Sequence, residues 1–304
     1  MPTAFVSPQV GVARAKAKEM SGLSTADQED AVGSDEDRQE EHQVSVLATV
    51  SIDSARKVLT TVDAGLCSGL GTQVPGQMCV EAAVCFALGL PHGDEPPCVG
   101  RAVRRFKIRL NDSHWPSNEA RAAGMRRLAI AQLGSNEIHQ GDFARLLAEK
   151  TIRVVVPIYL RAAAKKNPKR ADALEAAAKR CESEGTRAAA INAREVADAA
   201  SAAYAADADD DAYAAAYAAT AAATAAATAA ATAAATYAAT YAATYAADAA
   251  TYAATAAAGA GDDADDDARH KALRASARIA EECLRELKCP GIALLDELLP
   301  EVRP

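Results

Sequence analysis

Residues 97–110 read PCVGRAVRRFKIRL. Val99, Ala102, Val103, Phe106 and Leu110 recur at three- and four-residue steps, while Arg101, Arg104, Arg105 and Arg109 fall on the opposite side. That is the period of an amphipathic helix, with one face made for a core and one for water. Pro97 stands where a first-turn proline belongs, so the helix is expected to open there.

The same grammar runs outward in both directions. Asp53 is expected to cap a helix that carries Ala55, Val58, Leu59 and Val62 and stops at Gly65. A second helix is expected over 77–88, ended by Gly89 and Pro91, and Ser117 is expected to cap another that closes at Gly134. The segment DFARLLAEKTIRVVVPIYLRAAA predicts helix with a bend near Pro157, and Pro168 opens a further one that stops near Gly185. ARHKALRASARIAEECLRELK (268–288) is again amphipathic, with CPG as its stop and IALLDELLP as a last short apolar element. No two alternating apolar runs face each other. The expected class is all-α, a multi-helix bundle.

Composition sets the domain plan. Aromatic residues make up only 4% of the 304, and alanine dominates the apolar half, so a core must come from the stretches rich in Leu, Val, Ile and Phe. Residues 1–43 are polar and acidic and are expected to form a disordered tail. Residues 44–200 form the expected helical core domain, 201–268 an Ala/Thr/Tyr low-complexity insertion, and 269–304 the C-terminal helices that return to the core. Between Thr186 and Ala258 there is neither Gly nor Pro. One helix of that length would run about 110 Å, so the tract is either a rod or a hairpin folded near the acidic run at 207–211. Its four-residue period drifts around a helix. Late in the tract the spacing resets, and Tyr237, Tyr241, Tyr245 and Tyr252 fall in one arc of about 80°. These tyrosines are a candidate partner-binding stripe. Regular Thr on an Ala helix also resembles the type I antifreeze peptides, which implies ice binding, although those peptides space Thr by eleven residues and this tract does not.

The net charge of −8 hides an asymmetry. Residues 1–98 balance at −8, residues 99–188 carry 19 basic and 9 acidic residues, and residues 189–304 balance at −10. The basic middle, with Arg101, Arg104, Arg105 and Arg109 on one helix face, is a candidate surface for a protein partner or for weak nucleic-acid binding through phosphates. Trp115 is the only Trp, so no aromatic interleaving supports base stacking. The first 20 residues lack an apolar signal-peptide core, no Leu/Ile/Val-rich span of membrane length follows, and the seven cysteines are odd in number. The expectation is a cytoplasmic chain with reduced thiols and no membrane contact.

Chemistry-bearing residues crowd into 75–100, PGQMCVEAAVCFALGLPHGDEPPCVG. Cys79 would lie in the first turn of its helix, where the dipole lowers a thiol pKa, with Gln77 as an oxyanion donor and His92 as a base. The pattern Q-x-C-x-x-A-A is similar to the nucleophile helix of papain-like and bacteriocin-processing cysteine peptidases, which implies a cysteine-dependent hydrolase. Those families set their histidine on a sheet, and no sheet is expected here. A second alternative uses Cys79, His92, Asp94 and Cys98 as a tetrahedral Zn²⁺ set, although no C-x-x-C knuckle is present. The third is structural, with Cys79 and Cys85 packed in a core and Asp94 capping or pairing with Arg101 or Arg104.

Cys79, Glu81, Gly89, Pro91, Asp94, Pro96, Cys98, Val99, Asn111 and Asp112 together resemble a C-x-E…G-x-P-x-x-D-x-P-x-C-V…N-D motif of an uncharacterised bacterial all-helical family. The doubled proline Pro96-Pro97 lengthens the spacing to Cys98 by one residue. The resemblance spans about 44–200 and the C-terminal helix, implies a helical fold, and carries no activity. The Ala- and Tyr-rich helices are also similar in composition to helical toxin-immunity proteins. The resulting expectation is a non-enzymatic helical interaction or scaffold protein, in a bacterial conflict or assembly setting, with no resident cofactor.

Overall fold

The computed structural model describes residues 50–205, 216, 219–224, 226 and 263–300. They belong to one compact unit, Leu47–Pro304. The expected acidic tail, most of the Ala/Thr/Tyr tract with its rod-or-hairpin alternative, and Tyr237, Tyr241, Tyr245 and Tyr252 lie outside the described residues. Ten α-helices and no strand are found among those described: α1 (Ile52–Asp63), α2 (Val80–Ala87), α3 (Arg101–Asp112), α4 (Asn118–Ala131), α5 (Gln140–Lys150), α6 (Val156–Lys166), α7 (Ala171–Glu184), α8 (Arg187–Ala205), α9 (Asp263–Glu286) and α10 (Pro290–Leu298). The chain is all-α, as its periodicity requires.

Several boundaries follow their residues. Ser117 caps α4 by accepting the Ala120 amide at 3.1 Å, and Gly134, at φ 80°, ends the region that α4 opens. Gly185, at φ 62°, closes α7 in the left-handed conformation that glycine adopts without a Cβ penalty. Other boundaries shift. Ser51, not Asp53, caps α1, accepting the Ser54 amide at 3.2 Å, and Asp53 sits in the first turn. Pro97 does not open α3: residues 97–99 form a turn closed by Val99 N–H to Pro96 O at 3.0 Å, and the helix starts at Arg101. The amides at its N-terminus that lack an intrahelical partner are met from elsewhere in the chain, Gly100 N–H by Ser135 Oγ at 2.9 Å and Ala102 N–H by Gln140 Oε1 at 3.0 Å. The bend expected near Pro157 is a π-turn at Thr151–Val155, just upstream of the proline, joining α5 to α6.

α4 is the centre of the bundle, packing against α1, α2, α9 and α10. Met125, Leu128, Ala129 and Ile130 on it are buried. Trp115 packs against Gly124, where any Cβ would collide with the benzenoid edge of the indole, and its Nε1 donates to Leu110 O at 2.9 Å. Arg127 ties α4 to α9 through two bonds to Glu281, at 2.7 and 2.9 Å, and reaches Leu299 O beyond α10 at 3.0 Å. On the other side α6, α7 and α8 pack as an antiparallel group. α8 contributes Ala189, Ala193, Ala197 and Ala200, all fully buried, as a smooth face. Ala216, Ala219, Ala222, Ala223 and Ala226 are fully buried in the same apolar cluster.

The N-terminus of α10 meets the end of α4 backbone to backbone. A Cβ on Gly291 would come within 2.7 Å of the Ala131 and Leu133 carbonyl oxygens and closer still to that of Ile130. Gly93, by contrast, has an ordinary φ and nothing nearer than 3.9 Å. Gly291→Ala should therefore destabilise the fold by about 1–3 kcal/mol through overpacking against atoms that cannot move aside. Gly93→Ala should leave the thermal midpoint nearly unchanged. Parallel thermal melts test the pair, and equal midpoints for the two variants would show that the α4–α10 contact is loose.

Candidate functional site

The crowded stretch folds into one corner built on α2, α3 and the end of α4. Cys79 is the N-cap of α2, not a residue of its first turn, and its Sγ accepts the Ala82 amide at 3.3 Å. Two residues on, Glu81 is fully buried. It meets the equally buried Lys107 of α3, Nζ to Oε1 3.5 Å, and its second oxygen accepts Gln132 Nε2 at 3.2 Å. Three helices are thus joined by one acid, one base and one amide. Burial raises the Glu81 carboxyl pKa and lowers that of the Lys107 ammonium, each opposed by the charge of the other.

A second polar hub lies alongside. Asn111 Oδ1 accepts the Val80 amide at 3.2 Å, and its Nδ2 donates to Cys67 O and Asp112 Oδ1, both at 2.9 Å. Asp112 Oδ1 also holds the Gly69 amide at 2.7 Å. Arg121 donates to Asn111 O at 2.8 Å and to Leu66 O at 3.2 Å. The loop 66–79 is fixed to the bundle by these bonds. Within the C-x-E…N-D pattern, Cys79, Glu81, Asn111 and Asp112 converge, and each has a backbone or ion-pair task.

The nucleophile arrangement is not assembled. Cys79 is 5% exposed, and burial pushes its thiol up to about 11, against the lowering expected from the helix terminus. Desolvation outweighs the Ala82 and Glu81 amides and the Lys107 charge that favour the thiolate. His92 Nε2 lies 3.2 Å from Gly71 O, so it is the donating nitrogen, and no hydrogen bond links the ring to Cys79 among the described residues. Gln77 is exposed, with its Oε1 taken by Thr72 Oγ1 at 3.0 Å. Nor do Cys79, His92, Asp94 and Cys98 converge: among the described residues no group of three or more His, Cys, Asp or Glu side chains is placed to hold a metal ion. Cys98 is buried with its thiol pKa raised by desolvation, and Cys85 is pushed up to about 12 for the same reason.

The arginine face of α3 is only partly a free surface. Arg101 and Arg105 are exposed, but Arg104 is largely buried and pairs with Glu95, rather than Asp94, at 2.6 Å. Arg109 is exposed and has an interaction of its own within the molecule. Lys107, Gln132 and Arg121 were not singled out by sequence. The signal was there for Lys107, which falls with Val103, Phe106 and Leu110 on the apolar side of α3, where a lysine needs a buried partner. Arg121 likewise shares the buried face of α4 with Ala122, Met125 and Leu128.

No family model, no curated protein and no solved structure matches the chain. The motif resemblance therefore rests on its own residues.

Two outcomes are expected from this geometry. Mild alkylation of the native protein at neutral pH should label Cys67, the one half-exposed thiol, ahead of the six buried ones, which should react only on unfolding. Rapid labelling of Cys79 would restore the nucleophile reading. Lys107→Met should cost about 3–5 kcal/mol at neutral pH, because it strands a buried carboxylate. Its Glu81 pKa would then stand further above the unfolded value of 4.5, so the folded state holds the proton more tightly and stability falls as pH rises above that value. Denaturant melts at pH 5 and pH 8 should show the larger deficit at pH 8. The paired change Glu81→Leu with Lys107→Met should recover most of the loss.

Proposed function

We propose that the chain is a non-enzymatic helical protein that binds a protein partner at the end of the bundle formed by loop 66–79, α1 and α2. The observation that carries this reading is where the exposed large apolar side chains fall along the chain. Among the described residues these are Leu70, Val74 and Phe86, at 43%, 47% and 37% exposure, and all three belong to this loop or to α2. Phe86 lines a groove of about 760 Å³ together with Pro75, Leu88 and Ala64, and Lys57 and Arg56 stand on its α1 side.

An aromatic anchor in a groove, flanked by aliphatic neighbours and rimmed by charge, is the usual anatomy of a contact hot spot. Its cationic side selects a partner segment that carries apolar side chains beside acidic ones. The fixing of loop 66–79 by Asn111, Asp112 and Arg121 supports the same reading, because a surface already ordered loses little entropy when it is covered. The sealed state of Cys79 argues for a binding role over the hydrolase alternative. Seven free cysteines support a reducing, cytoplasmic setting, and no described helix is long and apolar enough to cross a membrane. A bacterial conflict or assembly context, drawn from the motif resemblance together with the compositional similarity to helical toxin-immunity proteins, belongs to the same proposal.

A photoreactive residue placed at Val74 tests the reading in the source cell. One discrete cross-linked protein is expected, absent when the photoreactive residue sits at the exposed Lys165 and lost when Phe86→Asp is added. Phe86→Asp itself should cost about 0.5–2 kcal/mol, since it removes a partly covered ring and sets a carboxylate in the last turn of α2, and thermal melts check that the fold survives. Equal adducts at Val74 and Lys165, or an adduct indifferent to Phe86→Asp, would overturn it.

A further inference from the structure

A second cavity lies far from the thiol corner in sequence, between α6, α7 and α9. It measures about 470 Å³, and its charged lining consists of Arg153, Arg161, Lys271, Arg274, Arg278 and one carboxylate, Glu182. Val154, Ile158 and Ala275 supply the apolar remainder.

The five cations are not equivalent. Arg153 is committed to structure: its guanidinium closes the C-terminal turn of α7 by donating to the carbonyls of Glu182, Ser183 and Glu184 at 2.7–2.9 Å, and it bonds Glu149 at 3.0 Å. Arg161 is shared between Glu175 and Glu182, making paired bonds to each. Arg278 lies 3.6 Å from Glu282. Lys271 and Arg274 differ. They sit three residues apart on one face of α9, both exposed, with no hydrogen bond or ion pair among the described residues. Arg278 follows one turn later on the same face. The paired arginines thus form a fixed wall, and the uncompensated positive charge is concentrated at Lys271 and Arg274.

We infer that this cleft is a binding site for a small phosphoryl-bearing anion, held between Lys271, Arg274 and Arg278. Arginine offers a planar fork to phosphate oxygens and lysine a mobile point charge, the combination that recognises a phosphoryl group. The volume is within the range of a small-molecule site. Among the described residues, the acidic side chains at the cleft, Glu182 directly and Glu175 beside Arg161, are each paired with Arg161, so neither is left to repel the anion uncompensated. The inference is independent of the partner groove on α1 and α2.

Titration calorimetry of the full chain with inorganic pyrophosphate, at constant ionic strength made up with chloride, tests it. Saturable binding with a stoichiometry of one is expected, weakened at least tenfold in Lys271→Ala/Arg274→Ala and unchanged in the surface control Lys165→Ala. Thermal melts of the double variant check that its fold is intact, since neither side chain is buried. Adenosine diphosphate in place of pyrophosphate separates the sources of the group: equal affinity identifies the phosphoryl end as the whole determinant, and tighter binding adds a nucleoside to it. Absence of binding, binding that survives the double substitution, or polyglutamate binding as tightly as pyrophosphate would overturn the inference.

Discussion

Glu81 and Lys107 are both removed from water, and neither can be charged there without the other. Bringing them together requires α2 and α3 to cross at one point, and the bond from Gln132 brings the end of α4 to the same place. The interaction is weak as a source of net stability, because desolvation of two ions offsets most of their attraction. Its effect lies in selection among packings. An all-helical chain rich in alanine has many ways to slide one smooth face over another, and nearly all alternatives leave a buried charge unpaired. The polar hub at Asn111 acts in the same sense, fixing where loop 66–79 leaves the bundle and hence where Leu70, Val74 and Phe86 emerge.

Helical class was legible from periodicity because each helix carries its own apolar stripe. The ends were legible where the stop is local chemistry, as at Ser117, Gly134 and Gly185. They were misread where a partner from elsewhere in the chain does the capping. Arg101 can begin α3 without a capping side chain of its own only because Ser135 and Gln140, more than thirty residues on, satisfy Gly100 and Ala102. Pro97 suits a first turn equally well, so local propensity pointed to the wrong residue. Similarly Ser51 and Asp53 are both good caps, and nothing within α1 ranks them.

The site was legible as a place but not as chemistry, since catalytic, metal-binding and structural readings all fit its spacing. Sequence located the corner because Cys79, Glu81, Cys98, Asn111 and Asp112 are unusual company, and the structure brings these residues close. What it withheld was solvent. A thiol at a helix start is activated when water and a base reach it, and deactivated when the packed core excludes both. Burial depends on contacts distant in sequence and leaves no mark in the spacing. The basic 99–188 region shows the same loss of information: Arg104, Arg153 and Arg161 all commit their charge to nearby carboxylates or carbonyls, and the two unpaired cations of the cleft, Lys271 and Arg274, lie in a segment whose overall balance is acidic.

The sealing of six cysteines also bears on how the molecule ages. A thiol that meets oxidant only when its helix opens is oxidised at a rate set by the opening, whatever its intrinsic reactivity. A sulfinate or sulfonate formed there is larger and more polar than the thiol its buried site accommodates, so the opened form cannot close again. Each opening in an oxidising moment then becomes a one-way step, and the oxidised fraction of a population counts the openings it has undergone.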